Sequence, residues 1–159
     1  MEDGILMTRE GHEDLVKELD HLKGAGRKAV AERIRDSKQF GEFLENSEYE
    51  EAKSEQAVVE GRILELQRIL QNAKVVDKPS GQGRTVGVGS LVTLRDPKSR
   101  KEVQYRIVSP VEADPANSRI SYESPVGRAI MDRSVGDKVQ VTAPDGTITY
   151  VIAKVSNRK

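Results

Sequence analysis

The sequence predicts an α+β protein in which a long antiparallel helical hairpin precedes a small α+β domain, and three observations carry that reading. Two long stretches keep a helical apolar period; a turn-forming segment rich in acids separates them; and beyond residue 89 the apolar period changes from helical to alternating. The domains expected from these changes are a helical hairpin over residues 1–76, a linker over 77–89 and a C-terminal domain over 90–159.

In the first helix Leu15, Leu19, Leu22, Gly26 and Ala29 recur at spacings of four and three, after which the stripe drifts to Val30 and Ile34. Thr8 is placed to cap its start, and Gly41 to end it in the left-handed conformation. In the second helix Tyr49, Ala52, Gln56, Val59, Ile63, Leu66 and Leu70 alternate by three and four, the spacing of a coiled-coil seam. Asn46 or Ser47 can cap it. Only a few residues join the helices, which makes them antiparallel neighbours. An uninterrupted helix from Thr8 to Phe40 would extend roughly 45–50 Å at ~1.5 Å per residue, long for a core helix and suited to a rigid spacer.

The segment 77–84, Asp-Lys-Pro-Ser-Gly-Gln-Gly-Arg, is polar, rich in Pro and Gly and without helical period, and reads as a linker. Past it, residues 90–94, 103–108, 139–141 and 147–152 alternate and are rich in β-branched side chains, so they are expected as strands. Pro144-Asp145-Gly146 has the chemistry of a tight hairpin turn. Ser124-Pro125-Val126-Gly127-Arg128-Ala129-Ile130-Met131 predicts a short capped helix with proline at its first position.

Composition limits the functions available. A chain of 159 residues with 4% aromatics and no Trp has little material for a large globular core. The chain is formally neutral, yet residues 1–76 carry 12 Lys+Arg against 17 Asp+Glu while residues 77–159 carry 14 against 9. The two halves therefore present different surfaces, and the basic one could face RNA, DNA or an acidic protein, or be simply solvated. With no cysteine there is neither a disulfide framework nor a thiol nucleophile or thiolate metal site. No long apolar run or signal-like segment occurs, so a cytoplasmic protein with no membrane association is expected. His12 and His21 lie on the first helix with no nucleophile in pattern beside them, and read as surface or packing residues. Arg95, Lys98, Arg100 and Lys101 cluster around Asp96-Pro97, expected as a turn, either as a nucleic-acid contact or as a solvated loop.

The chemistry concentrates at the hairpin's turn. Glu48, Glu50 and Glu51 fall in the first turn of the second helix, where acids complement the helix dipole. Glu42 and Glu45 lie in or beside the turn itself, and two carboxylates a few residues apart can share one divalent cation. Mg²⁺ takes oxygen ligands and usually keeps several waters, so two carboxylates do not make a tight site alone but can donate ligands to another active site.

The segment Gly41-Glu42-Phe43-Leu44-Glu45-Asn46-Ser47-Glu48-Tyr49 is similar to the G-D-L-x-E-N-x-E-Y tip of the bacterial Gre transcript-cleavage factors. Further motifs appear in the same order: Leu6-Met7-Thr8-Arg9-Glu10-Gly11, Glu60-Gly61-Arg62-Ile63, Tyr105-Arg106-Ile107-Val108 and Ser124-Pro125-Val126-Gly127-Arg128-Ala129. This resemblance spans nearly the whole chain and implies an FKBP-like C-terminal domain. It also implies a transcription elongation factor that docks by that domain at bacterial RNA polymerase and inserts the hairpin into the secondary channel. There it would stimulate the polymerase's own cleavage of backtracked nascent RNA, as a monomeric co-catalyst and not as an enzyme. By resemblance, Glu42 and Glu45 are the co-catalytic acids, helping hold a second Mg²⁺ jointly with the polymerase. No cofactor is expected to be bound tightly by the free protein.

Phe43, Asn46 and Ser47 would shape the tip, with Phe43 either wedging against polymerase or packing on Phe40 or Tyr49. Lys38 and Lys53 match a basic patch that guides the RNA 3′ segment, and Arg33 and Arg35 either join it or pair with neighbouring acids of the opposite helix. Ser124, Pro125 and Arg128 are candidate docking residues. The chain departs from the family in having Glu42 for Asp and Phe43 for Leu, and Leu44 where a polar residue is common. The net acidic first half favours short over long backtracks.

Three alternatives remain open from sequence. A Gre-like channel occupant could inhibit polymerase without cleavage. A prolyl isomerase would need an aromatic-lined pocket, for which residues 77–159 offer only Tyr105, Tyr122 and Tyr150. A plain coiled-coil scaffold would use the tip acids only for solubility.

Overall fold

The structure is a computed structural model describing residues 4–38, 47–76 and 83–157, and it divides into two compact units, His12–Asn72 on the one hand and Met1–Gly11 with Ala73–Lys159 on the other.

In the first unit, α1 (Arg9–His21) runs into a wide turn over Leu22–Gly26, then α2 (Arg27–Lys38), and α3 (Ser47–Asn72) returns. Leu15, Val30, Ala52, Ile63, Leu66 and Ile69 are buried; all but Ile69 lie on the predicted seams, whose last position, Leu70, is half-buried while its neighbour Ile69 takes the inner place. Ion pairs run in opposite sequence order, Glu18 with Arg62, Arg27 with Glu60 and Arg33 with Glu55, so the helices are antiparallel. The expected single helix from Thr8 is instead interrupted. At the end of the wide turn the Arg27 N–H donates to Leu22 O, five residues back, which inserts a residue into the helical repeat. That insertion explains the drift of the stripe: Ala29 is exposed while Val30 is buried.

The second unit holds two sheets. Strand β1 (Ile5–Thr8) pairs in parallel with β2 (Ala73–Val76), Ile5 opposite Ala73 and Thr8 opposite Val76. The larger sheet contains β3 (Leu91–Arg95), β4 (Glu102–Val108), β5 (Arg119–Ser121), β6 (Lys138–Ala143) and β7 (Gly146–Ser156) in the order β5-β4-β3-β7-β6. All neighbours are antiparallel except β4 and β5. The four predicted strands are β3, β4, β6 and β7, and the predicted hairpin closes with Ala143 opposite Gly146, whose φ of +131° is unstrained only for glycine. The short helix α4 (Pro125–Ile130) packs on the sheet. Its Ile130 joins Val86, Val92, Leu94, Ile107, Ile120, Val139 and Ile152 in one core.

Part of the stretch read as a linker is built into this core. Val86 and Val88 are buried, the Val86 N–H donates to Arg133 O at 2.8 Å, and the Gly89 N–H donates to Ile107 O at 2.7 Å. The Asn157 Nδ2 amide donates to Gly83 O and Thr85 O at 2.9 Å each, fastening the last described residue to the same stretch. The polar, glycine-rich composition of 83–90 reflects backbone that bonds to neighbouring elements without forming a strand of its own, a pattern that local composition does not distinguish from a linker.

Candidate functional site

The two arms that present the tip are fixed by charged side chains across the helix pair. Arg33 on α2 reaches three acids on α3: Glu51 at 3.2 Å, Glu48 at 4.0 Å and Glu55. Arg27 donates from Nε and Nη2 to both Glu60 carboxylate oxygens at 2.9 and 2.8 Å. Arg62 likewise holds Glu18 at 2.7 and 2.8 Å and also bonds Glu65. The hydrogen bond from Arg62 lowers the Glu18 carboxyl below its ordinary value against a smaller cost of burial, and that from Arg27 does the same for Glu60. Arg62 is pushed above its ordinary value, first by Glu18.

Of the residues expected to follow RNA, Arg33 is thus engaged with α3, the interhelical alternative raised from sequence. Arg35 and Lys38 are exposed at the end of α2 and pair with no acid among the described residues. Lys53 is exposed on α3, its ammonium donating to Gln56 Oε1 at 3.0 Å. Ser47 is the first residue of α3 and exposed. Glu42, Phe43, Glu45 and Asn46 lie outside the described residues, as does Gly41.

On the sheet unit, Ser124 caps α4: its hydroxyl accepts from the Gly127 N–H at 3.1 Å and donates to Ser121 O at 2.6 Å. Pro125 occupies the first turn, and a Cβ at Gly127 would lie 2.0 Å from Ser121 O, so this motif is in large part a packing device. Arg128 is exposed and, with Glu123, Pro125, Ala129, Gln140 and Thr142, lines a surface depression beside β6.

Sequence reasoning missed the most heavily bonded side chain of this unit. Glu112 accepts from the Thr8 N–H at 3.2 Å, from the Thr8 hydroxyl, and from the Ser109 N–H and hydroxyl at 3.1 and 2.7 Å. Gly11 makes room for it, because a Cβ there would lie 1.9 Å from Glu112 Oε1. Thr8 in turn caps α1 as predicted, accepting from the Gly11 N–H at 3.0 Å. The signal was available: Ser109-Pro110-Val111-Glu112 is a Ser-x-x-Glu capping box. The Tyr122 hydroxyl is raised above its ordinary value by burial, partly offset by its hydrogen bond to the Leu6 backbone.

Among the described residues no group of three or more His, Asp or Glu side chains could hold a metal ion. Nor is any helix there long and apolar enough to cross a membrane.

A paired-helix arm joined to a small sheet domain, with acids in the segment between the arm's helices, defines the class. Residues 5–75 match the family described as transcription elongation factor, N-terminal, and residues 81–157 match transcription elongation factor, GreA/GreB, C-term. The chain belongs to the GreA/GreB family of transcription elongation factors.

It is 47% identical over 151 residues to transcription elongation factor GreA of Acetivibrio thermocellus, covering 95% of each chain. It is equally 47% identical to the proteins of that name from Clostridium botulinum strain Langeland, covering 95% of this chain and 94% of the other, and from Syntrophomonas wolfei, covering 95% of each. Among solved structures it is 28% identical to GreA factor homolog 1 (Gfh1) of Thermus thermophilus, covering 96% of this chain and 99% of that one, with a TM-score of 0.43.

Proposed function

We propose that this elongation factor binds bacterial RNA polymerase in the cytoplasm, places its hairpin tip in the secondary channel, and stimulates the polymerase to cleave backtracked RNA. The observation that carries this is the pairing of Glu42 and Glu45 in the short segment between α2 and α3, in a chain aligned over 95% of its length with factors named GreA. The helices that flank this segment in the chain are cross-linked through Arg27, Arg33 and Arg62, which supports reading them as a firm arm. Such support matters because a misplacement of ~1 Å can cost on the order of a hundredfold in rate.

Two carboxylates match the oxygen preference of Mg²⁺ but leave most of its octahedron to waters and to partner ligands, which agrees with a site shared with polymerase and not owned by this chain. When bound there, the ion supplies charge stabilisation to an in-line attack on the RNA phosphate. Glu42 and Glu45 contribute oxygen ligands and accept a hydrogen bond from the attacking water, holding it in line. Lys38, Lys53 and Arg35, exposed near the tip, hold the phosphates of the extruded RNA segment; Arg33, committed to three acids, positions the arms. Arg128 is the exposed member of the α4 motif available for docking. The chain so read is a co-catalyst, with the bond-breaking centre on the polymerase.

The test is RNA release from a backtracked elongation complex in Mg²⁺. The Glu42→Gln/Glu45→Gln variant should lose cleavage by on the order of a hundredfold or more while still competing for polymerase. A wild-type chain that binds and inhibits without cleaving would replace this reading with that of a channel-occupying regulator. The substitution Glu42→Asp, which restores the family's residue, should then confer cleavage.

A further inference from the structure

The basic cluster at Arg95, Lys98, Arg100 and Lys101 takes no part in the function proposed above, and the sheet adds to it. Along β3, Val92 and Leu94 face the core, so Thr93 and Arg95 face away from it. Arg95 stands in register with Val151 of β7, and Val151 with Lys138 of β6, which places Lys138 and Arg95 in one row across three strands of the outer face. Lys154 is in register with Thr93 one row further on. Thr93, Arg95, Gln104 and Lys154 line one surface depression with Glu102, the single carboxylate on its wall. The β3–β4 connection closes at the end of this face, with Arg100 N–H donating to Asp96 O at 2.8 Å and Asp96 N–H to Lys101 O at 2.9 Å.

Two features bear on the charge of this face. Arg95, Lys98, Arg100, Lys101, Lys138 and Lys154 form no ion pair among the described residues, as Arg35 and Lys38 on the arm do not, but here six such cations gather on one sheet face and its adjoining turn. Asp96 accepts from the Lys98 and Ser99 N–H groups at 2.8 and 3.3 Å, which hold it ionised, so the turn carries one negative charge among its four cations. In addition, Arg100 adopts φ +62°, a left-handed conformation that glycine or asparagine would take at less cost. The turn thus carries a cation at a position whose backbone favours glycine.

We infer that this outer face of the five-stranded sheet is a docking surface for the phosphate backbone of duplex DNA. The depression is walled mainly by polar and charged side chains, with Val103 and Ala153 its apolar members and no aromatic anchor of the kind protein partners bury. Tyr105 and Tyr150 pack on the core side and supply no stacking platform for unpaired bases. Unpaired cations in rows on a polar face read charge density alone, and a duplex carries one charge per ~1.7 Å, about twice that of a single strand.

The experiment is fluorescence anisotropy of a labelled 20-base-pair duplex titrated with the full chain between 50 and 200 mM salt, with single-stranded DNA of the same length and poly-glutamate as competitors. Binding should weaken steeply with salt. The variant Arg95→Gln/Lys101→Gln/Lys154→Gln should bind about tenfold or more weaker and flatten the log–log salt slope by about 2.7, at ~0.9 per lost phosphate contact. Lys17→Gln/Lys23→Gln/Lys28→Gln on the arm should leave both unchanged. Arg100→Gly should raise the melting temperature yet weaken binding, a split that a merely structural arginine would not produce. No duplex binding at 50 mM salt overturns the inference. So do an equal loss from the arm variant, and competition by single strands or poly-glutamate as strong as by duplex. None of these outcomes bears on the tip, whose test is cleavage by polymerase.

Discussion

Gly11 and Gly127 show how much of the family pattern is packing. At Gly127 a methyl group would press on Ser121 O and on the Tyr122 backbone, neither of which can move aside independently of β5. Gly127→Ala should therefore cost about 1–3 kcal/mol, towards the upper end, measured as a shift in the urea midpoint at constant slope. At Gly11 the obstacle is the end of the Glu112 side chain, which can swing away but forfeits its hydrogen bonds to Thr8 and Ser109 in doing so. Gly61 is the contrary case: it is exposed, in the interior of α3, and nothing lies within 4 Å of a Cβ there. Gly61→Ala should stabilise the free protein by roughly 0.5–1 kcal/mol in the same assay. If the variant also binds polymerase more weakly, the missing side chain serves a partner's close approach and not the fold. The three glycines look alike in sequence because what a Cβ would meet is set by the fold: a side chain about a hundred residues away at Gly11, a backbone carbonyl six residues back at Gly127, and nothing at Gly61.

At the scale of the helices, period and capping made the hairpin legible: three of the four buried positions of α3, Ala52, Ile63 and Leu66, and the Thr8 cap follow from residue spacing alone, whereas Ile69 is buried where Leu70 was expected. The wide turn at Leu22–Gly26 was visible only as a drift in the stripe, because the extra residue shifts the apolar face without removing any apolar residue. The cross-helix ion pairs were equally hidden, since which acid meets which arginine depends on the register that the wide turn sets. These pairs carry a pH signature. Glu18 and Glu60 are held below the ordinary carboxylate value by Arg62 and Arg27, so their contribution is present above the unfolded carboxylate value near ~4.3 and is lost as pH falls through the lower folded values. Helical circular dichroism should show the melting temperature of the arm falling between about pH 5 and pH 3. In Arg62→Gln and Arg27→Gln the fall should be smaller, because the partner carboxyls regain ordinary values. An unchanged pH profile in both variants would place the acid sensitivity elsewhere. Each pair is exposed to solvent, so its share at neutral pH is small.

Across the whole chain, sequence reasoning separated a helical part from a strand-rich part but missed where β1 and β2 belong. Both strands are four residues long, too short for an alternating pattern to stand out, and they pair in parallel across more than sixty intervening residues. The compact unit they join is consequently discontinuous, Met1–Gly11 with Ala73–Lys159, and this makes a physical prediction. Met7 is fully buried, and Thr8 contributes both the N–H and the hydroxyl that satisfy Glu112. A fragment beginning at residue 77 lacks those partners, trades the Thr8 hydrogen bonds of Glu112 for water and loses the buried Met7 side chain. A chain in which residues 12–72 are replaced by a flexible Gly/Ser loop retains all of them. Bridging back from the end of β1 to the start of β2 requires about ten residues, at ~3.3–3.6 Å each when extended, because a parallel pair must be rejoined along the strand's length. The looped chain should fold to a single cooperative transition with dispersed amide resonances for β1 and β2, and should melt several degrees above the fragment starting at residue 77. If the two melt together, β1 and β2 contribute nothing to the sheet unit, and the division at residue 76 describes the folding units better than the discontinuous one.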